Sequence, residues 1–319
     1  LDILLVVAGF VLLIGGGDVL VRGAVSIARR LDISPMIIGL TLVGFGTSTP
    51  ELLTSVQAAV AGSPGIAVGN VVGSNIANIL LILGIAALLR PMAVYATALW
   101  RDGTVMMAAT ALAVGMILWG ELSRVSGLVL MTSLAVYLAV TIHRERAAST
   151  GAGDVYAAEA AMVPAVSGNL VRDLVMLLGG LALTLVAARL LVEGAISIAA
   201  GLGVSEAVIG LTIVAVGTSL PELVTSVVAA WKGESDVAVG NIIGSNIFNI
   251  LGILGVTALV HPIAVPDQIA GLDIWVMAGA TLAMIGLAAT GSRITRCEGG
   301  FLLAGYITYL TVLLVTTLQ

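Results

Sequence analysis

Apolar residues run along this chain in stretches of about 20, separated by short connections rich in glycine, proline or charge. A helix of that length matches the hydrocarbon thickness of a bilayer, and the alternating pattern of an outer-membrane barrel is absent. The pattern predicts helices near residues 2–28, 35–61, 66–89, 101–120 and 125–143, then near 171–200, 206–231, 237–260, 272–290 and 299–318. The predicted fold class is an all-α polytopic membrane protein with ten transmembrane helices, and the first apolar stretch reads as a retained span.

The pattern repeats at a constant offset of 171 positions. Gly23 matches Gly194, Ser26 Ser197, Gly46 Gly217, Glu51 Glu222, Asn70 Asn241, Ser74 Ser245 and Asn78 Asn249. "AVGNVVGSNIANILLILG" (67–84) and "AVGNIIGSNIFNILGILG" (238–255) differ at only four positions, so one unit has been duplicated. The expected organisation is a first repeat over 1–145, a cytoplasmic linker over 146–170 and a second repeat over 171–319. Five spans per repeat is an odd number. The second copy therefore enters the membrane from the opposite face, an inverted-repeat arrangement typical of transporters.

Charge placement bears on orientation. If the N-terminus is outside, Arg29, Arg30, Arg90, Arg101, Arg144, Arg146, Arg172, Lys232, Arg293 and Arg296 all lie inside, ten of the 13 basic residues. That bias predicts an N-out, C-out chain. Composition adds exclusions: 59% hydrophobic and 10% charged residues suit lipid, and a net charge of −5 offers no affinity for nucleic acid. The one cysteine, Cys297, permits no internal disulfide.

Within the second and seventh spans, "VGFGTSTPELLTSV" (43–56) and "VAVGTSLPELVTSV" (214–227) interrupt the apolar pattern with a proline and a glutamate. Pro50 has no N–H and clashes with the carbonyl four residues back, so a break is expected just before Glu51. Backbone carbonyls near Gly44–Thr47 should be left unpaired, and those of Ala215–Thr218 should behave alike before Pro221 and Glu222. A carboxylate near mid-bilayer costs at least ~2.5–3.5 kcal/mol and marks a functional position. Two such carboxylates brought together repel unless a cation or a proton intervenes. Thr47, Ser48, Thr218 and Ser219 add hydroxyl oxygens, and in the next spans Ser74 with Asn78, and Ser245 with Asn249, stand four apart on one helical face. This all-oxygen set suits sodium or calcium, whereas transition metals favour His or Cys. Gly69 and Gly73, with Gly240 and Gly244, form small-xxx-small pairs that let helices approach.

The segments Gly46–Glu51 with Gly69–Ile76, and Gly217–Glu222 with Gly240–Ile247, resemble the signatures of the cation/calcium exchanger superfamily, in particular its prokaryotic sodium/calcium exchanger branch. The resemblance spans essentially the whole chain. It implies ten helices, four mid-membrane ion sites and calcium export driven by sodium entry, with the first and sixth helices sliding across the other eight. By motif, the implied ligands are Glu51, Glu222, Thr47, Ser48, Thr218, Ser219, Ser74, Ser245 and Asn78, with Asn249 at the matching position. The carbonyls of Gly44 and Ala215 are further candidates. Calcium and sodium are the transported substrates; no cofactor and no protein partner is implied, and the cell membrane of a prokaryote is the expected location. Many members carry an aspartate where this chain has Asn249. Two carboxylates neutralise calcium but leave three sodium ions with one excess charge, so a proton-coupled cation antiporter is the alternative reading. A channel would need a continuous pore, against which the broken helices and inverted repeats speak. An enzyme would need a catalytic constellation or a nucleotide loop, and neither is found.

Other polar residues carry plainer expectations. Asn75 and Asn246 lie off the Ser/Asn face and should support the backbone, while Asn70 and Asn241 should cap or brace the helix start. Asp18 with Arg22, and Arg189 with Glu193, read as local i,i+4 pairs. Cross-pairs Asp18–Arg189 or Arg22–Glu193 would instead link the two helices.

Overall fold

The computed structural model describes residues 2–31, 33, 35–148, 169–202 and 215–317. The first half comprises α1 (Asp2–Arg30), a broken stretch α2 (Pro35–Ile38), α3 (Gly44–Thr47) and α4 (Thr49–Val60), then α5 (Pro64–Ile76), α6 (Gly84–Leu89), α7 (Ala96–Leu118) and α8 (Arg124–Ala148). The second half comprises α9 (Leu170–Gly201), α10 (Ala215–Thr218), α11 (Leu220–Lys232), α12 (Ser235–Ile247), α13 (Gly255–Val260), α14 (Ile274–Gly291) and α15 (Arg296–Thr317). π-Helical turns join α2 to α3 (Gly39–Val43), α5 to α6 (Ala77–Leu83) and α12 to α13 (Phe248–Leu254), and another leads into α14 (Ile269–Asp273). Among the described residues, seven helices are long and apolar enough to cross a membrane. The start predicted at 206 and most of the connection predicted over 146–170 lie outside the described residues.

Local chemistry sets several boundaries. The Asn169 side chain accepts the N–H of Val171 at 2.9 Å and so caps α9. Glu298 accepts the N–H of Thr295 at 2.7 Å while Thr295 Oγ1 accepts that of Glu298 at 3.3 Å, a capping box that opens α15. Gly233, at φ 86°, ends α11 in the left-handed conformation that a side chain disfavours.

The centre of the molecule is built from the stretches Pro64–Leu89 and Ser235–Val260, whose apolar windows are 78% and 83% buried, against 28% for α1. α1 and α9 pack against each other along their length. The contact is backbone to backbone: a Cβ added at Gly23 would stand 2.3 Å from the Leu177 nitrogen, and one at Gly180 2.5 Å from the Leu20 nitrogen. Arg30 pairs with Asp173 at 2.8 Å at one end, and Ser197 donates to Asp2 at 2.8 Å at the other. Asp2 and Asp173 are themselves related by the 171-residue offset.

Four two-residue strands tie connections together. β1 (Met92–Ala93) pairs antiparallel with β4 (Arg293–Ile294), and β2 (Glu121–Leu122) with β3 (Ile263–Ala264). α7 lies between β1 and β2 and is about 35 Å long, so the two ribbons sit at opposite ends of the bundle. Of the glycines expected to let helices approach, Gly244 does so, since a Cβ there would overlap the Leu40 carbonyl, whereas one at its repeat-related Gly73 would meet nothing within 4 Å and one at Gly69 only Ile269 Cδ1 at 3.7 Å.

Candidate functional site

The second stretch breaks at Ser48 (φ −82°, ψ 10°), three residues before Glu51, as expected. The reason is local. Proline is tolerated in the first turn of a helix, where no intrahelical N–H is needed, so α4 begins at Thr49 and the break lies upstream of Pro50. Glu51 therefore stands in the first turn of α4, where the helix dipole favours negative charge. The second half repeats this: α10 ends at Thr218, Ser219 has φ −90° and ψ 7°, and Pro221 and Glu222 open α11.

One carbonyl of the stretch expected to be unpaired differs from the expectation. Gly44 O accepts the Ser48 N–H and the Ser245 hydroxyl, both at 3.2 Å, and Val43 O accepts the Thr47 hydroxyl at 3.0 Å. Hydroxyl side chains thus add hydrogen bonds to carbonyls beside the break. Thr218 is partly buried at the end of α10, and Ala215 begins that helix.

Glu51 and Glu222 are each 1% exposed. The serine of each half serves the glutamate of the other. Ser48 donates to Glu222 Oε1 at 2.8 Å, and Ser219 to Glu51 Oε1 at 3.2 Å. Among the described residues, the second oxygen of each carboxylate has no hydrogen-bond partner, and neither have the buried Oδ1 atoms of Asn75, Asn78, Asn246 and Asn249. Those six oxygens are acceptors only and come in pairs related by the repeat; those of Glu51, Glu222, Asn78 and Asn249 sit on elements that pack together, α4 against the turn Phe248–Leu254 and α11 against Ala77–Leu83. Buried acceptors without donors are costly unless a cation supplies the missing positive charge.

Asn78 and Asn249 lie in π-helical turns, so their register with Ser74 and Ser245 is not that of a continuous α-helix. Ser74 is 6% exposed and buried near them. Asn75 and Asn246 donate to the carbonyls of Val71 and Ile242, both at 2.7 Å, as expected of backbone supports. Their free oxygens were not anticipated. Asn70 and Asn241 brace a helix start, but that of the preceding broken stretch. Asn70 donates to Glu51 O at 3.0 Å and Ser55 Oγ at 2.9 Å, and Asn241 to Glu222 O at 3.4 Å and Ser226 Oγ at 2.8 Å. Asp18 pairs with Arg22 at 2.8 Å and with Lys232, while Arg189 pairs with Glu193 at 2.7 Å. The local reading of these pairs holds; the ion pair joining α1 and α9 is Arg30–Asp173.

A family model for the sodium/calcium exchanger protein matches residues 1–143 and 173–315. The chain belongs to the sodium/calcium exchanger family. It is 43% identical to the putative antiporter CaxA of Alkalimonas amylolytica over 95% of this chain and 96% of that protein. It is 36% identical to the sodium/calcium exchanger MaX1 of Methanosarcina acetivorans, covering 98% of each. Among solved structures, it superposes on the sodium-calcium exchanger NCX_Mj soaked with zero Na+ and Ca2+ with a TM-score of 0.85 and 34% identity, covering 98% of both chains. This exchanger-family chain is a multi-pass membrane protein of the prokaryotic branch.

Proposed function

We propose that the protein is a secondary antiporter that exports calcium against sodium entry by alternating access. The observation that carries this reading is the cluster of buried, donor-free oxygens on Glu51, Glu222, Asn78 and Asn249, supplied by two broken helices and two π-helical turns. Oxygen ligands and two carboxylates match a hard divalent cation. Thr47, Ser48, Thr218, Ser219, Ser74 and Ser245 complete the proposed ligand set. Gly44 and Ala215 would contribute carbonyls, that of Gly44 only after Ser245 gives it up.

The described helices read as ten spans in two inverted repeats. The strand pairs support this. β1 and β3 are related by the 171-residue offset, yet β1 pairs with β4 at one end of α7 and β3 with β2 at the other. Matching connections thus lie at opposite ends, as inversion requires. The repeat-related Thr110 and Thr281 meet at 3.4 Å, which supports an axis between the halves. The N-out orientation rests on the basic residues of the odd-to-even connections.

The test is calcium uptake into proteoliposomes loaded with sodium and diluted into sodium-free, potassium-free buffer at equal pH. Sodium-driven uptake that disappears in Glu51→Gln and Glu222→Gln is the expected result. Uptake driven only by an imposed pH gradient would favour the proton-coupled reading, for which Asn249 is the motivating residue.

A further inference from the structure

The two halves match in sequence but not in how they are covered. Val224 and Val228, on the outward face of α11, are covered by α1: a Cβ at Gly17 would touch Val224 at 2.7 Å and Val228 at 3.5 Å. Val228 is 6% exposed, whereas its repeat-related residue in α4, Gln57, is exposed, and Leu53, which matches Val224, is 56% exposed. The ion pair follows the same asymmetry. Lys232, at the end of α11, reaches both the carboxylate and the carbonyl of Asp18 on α1. The matching positions are Ala61 and Arg189, which cannot form such a pair, and Arg189 faces outward with Glu193. One aromatic pair is also one-sided. Phe45 and Phe248 stack at 4.4 Å between α3 and the turn Phe248–Leu254, where the matching residues are Val216 and Ala77.

We propose that Asp18 and Lys232 form a one-sided latch that holds α1 on α11 and keeps the path closed at the Lys232 end of the molecule. On the ten-span reading, Lys232 and the connection after α1 share a face, and Phe45 lies between that face and Glu51. The ion pair, the covered valines and the aromatic stack therefore all close the cytoplasmic half. α1 and α9 are bound by glycine-mediated backbone contacts and by Arg30–Asp173, so they move as one body. When α1 leaves α11, α9 is carried toward Leu53 and Gln57 on α4, and the exposed face becomes the covered one. No latch of matching chemistry holds that second state, because Ala61 has no charge. The resting population is therefore biased toward closure at the Lys232 end.

This inference rests on the alternating-access reading, and its test separates the two. In a Cys297→Ser background, spin labels at Val7→Cys and Trp231→Cys report the α1–α11 distance. Labels at the matching positions, Leu178→Cys and Val60→Cys, report α9–α4. Lys232→Met should move the first distance out and the second in, changing the ratio of the two populations about five-fold, the worth of a partly exposed ion pair. Asp18→Asn should do the same without adding to Lys232→Met, and Lys232→Arg should preserve the starting distances. Unchanged distances in Lys232→Met, or a first distance that broadens while the second stays fixed, would overturn the latch. Sodium-driven calcium uptake is measured separately. A reciprocal shift without such uptake would leave the latch standing and sink the exchange reading.

Discussion

Ser48 donates its hydroxyl to Glu222 Oε1 at 2.8 Å, across 174 residues of chain and between the two halves of the molecule. Ser219 makes the reciprocal bond to Glu51 at 3.2 Å. Each carboxylate is thus oriented by the opposite repeat, with one oxygen held and the other without a hydrogen-bond partner among the described residues.

Removing either hydroxyl should loosen that orientation without removing charge. A hydrogen bond to a charged group is worth about 1.5–3 kcal/mol, so Ser48→Ala and Ser219→Ala should each weaken apparent calcium affinity by about ten- to a hundredfold. Concentration dependence of uptake in proteoliposomes reads this directly. An effect confined to one of the two serines would argue against reciprocal positioning.

Asn249 tests the charge balance. Among the described residues its Oδ1 is buried without a partner, and the buried carboxylates beside it are those of Glu51 and Glu222. Asn249→Asp adds a third negative charge, enough to neutralise three monovalent cations. Half-saturation by sodium should fall several-fold while calcium binding changes less, because on the proposed reading Glu51 and Glu222 alone suffice to neutralise calcium. Sodium titration of calcium uptake at fixed pH measures both.

Much of this arrangement is legible in the sequence, because duplication doubles every signal. The two proline–glutamate breaks and the Ser/Asn motifs appear as repeats of one pattern, whereas the close approach at Gly244 has no counterpart at Gly73. What could not be read has a physical cause. The π-helical turns at Ala77–Leu83 and Phe248–Leu254 depend on how α5 and α12 pack, and apolar periodicity does not distinguish them from α-helix. The hydroxyl satisfaction of Gly44 comes from Ser245, which is close in space and distant in sequence. Arg30 reads as a loop charge that sets topology, although it reaches Asp173 on α9. A signal for that contact was present: Asp2 and Asp173 are repeat-related acids at the starts of the two helices that pack together.

Asn241 and Asn70 should differ in their contribution to stability. Both bridge a glutamate carbonyl and a serine hydroxyl, but Asn241 is fully buried and Asn70 only partly so. Asn241→Ala leaves Glu222 O and Ser226 Oγ without that donor in a dry environment, at about 1–3 kcal/mol. Asn70→Ala exposes its partners to more solvent and should cost less. Thermal unfolding in detergent should give the lower midpoint for Asn241→Ala, and equal midpoints would count against the burial argument.

The α1–α9 interface makes the sharpest stability prediction, since it is set by backbone proximity. At Gly23 an added Cβ would fall 2.3 Å from the Leu177 nitrogen and 2.7 Å from its Cα, atoms that move only if the whole helix moves. At Gly15, eight residues earlier on the same helix, an added Cβ meets nothing within 4 Å. Gly23→Ala should therefore force α1 and α9 apart and destabilise the protein by about 1–3 kcal/mol, the range for overpacking a close contact. Gly15→Ala should leave stability unchanged or slightly raised, because alanine favours helix where nothing opposes its methyl group. The separation should also strain Arg30–Asp173, so Gly23→Ala and Asp173→Asn should be less than additive when combined. Unfolding midpoints of the three single variants and the double variant decide the matter. Comparable midpoints for Gly15→Ala and Gly23→Ala would mean that the two helices are not held at this distance in the membrane.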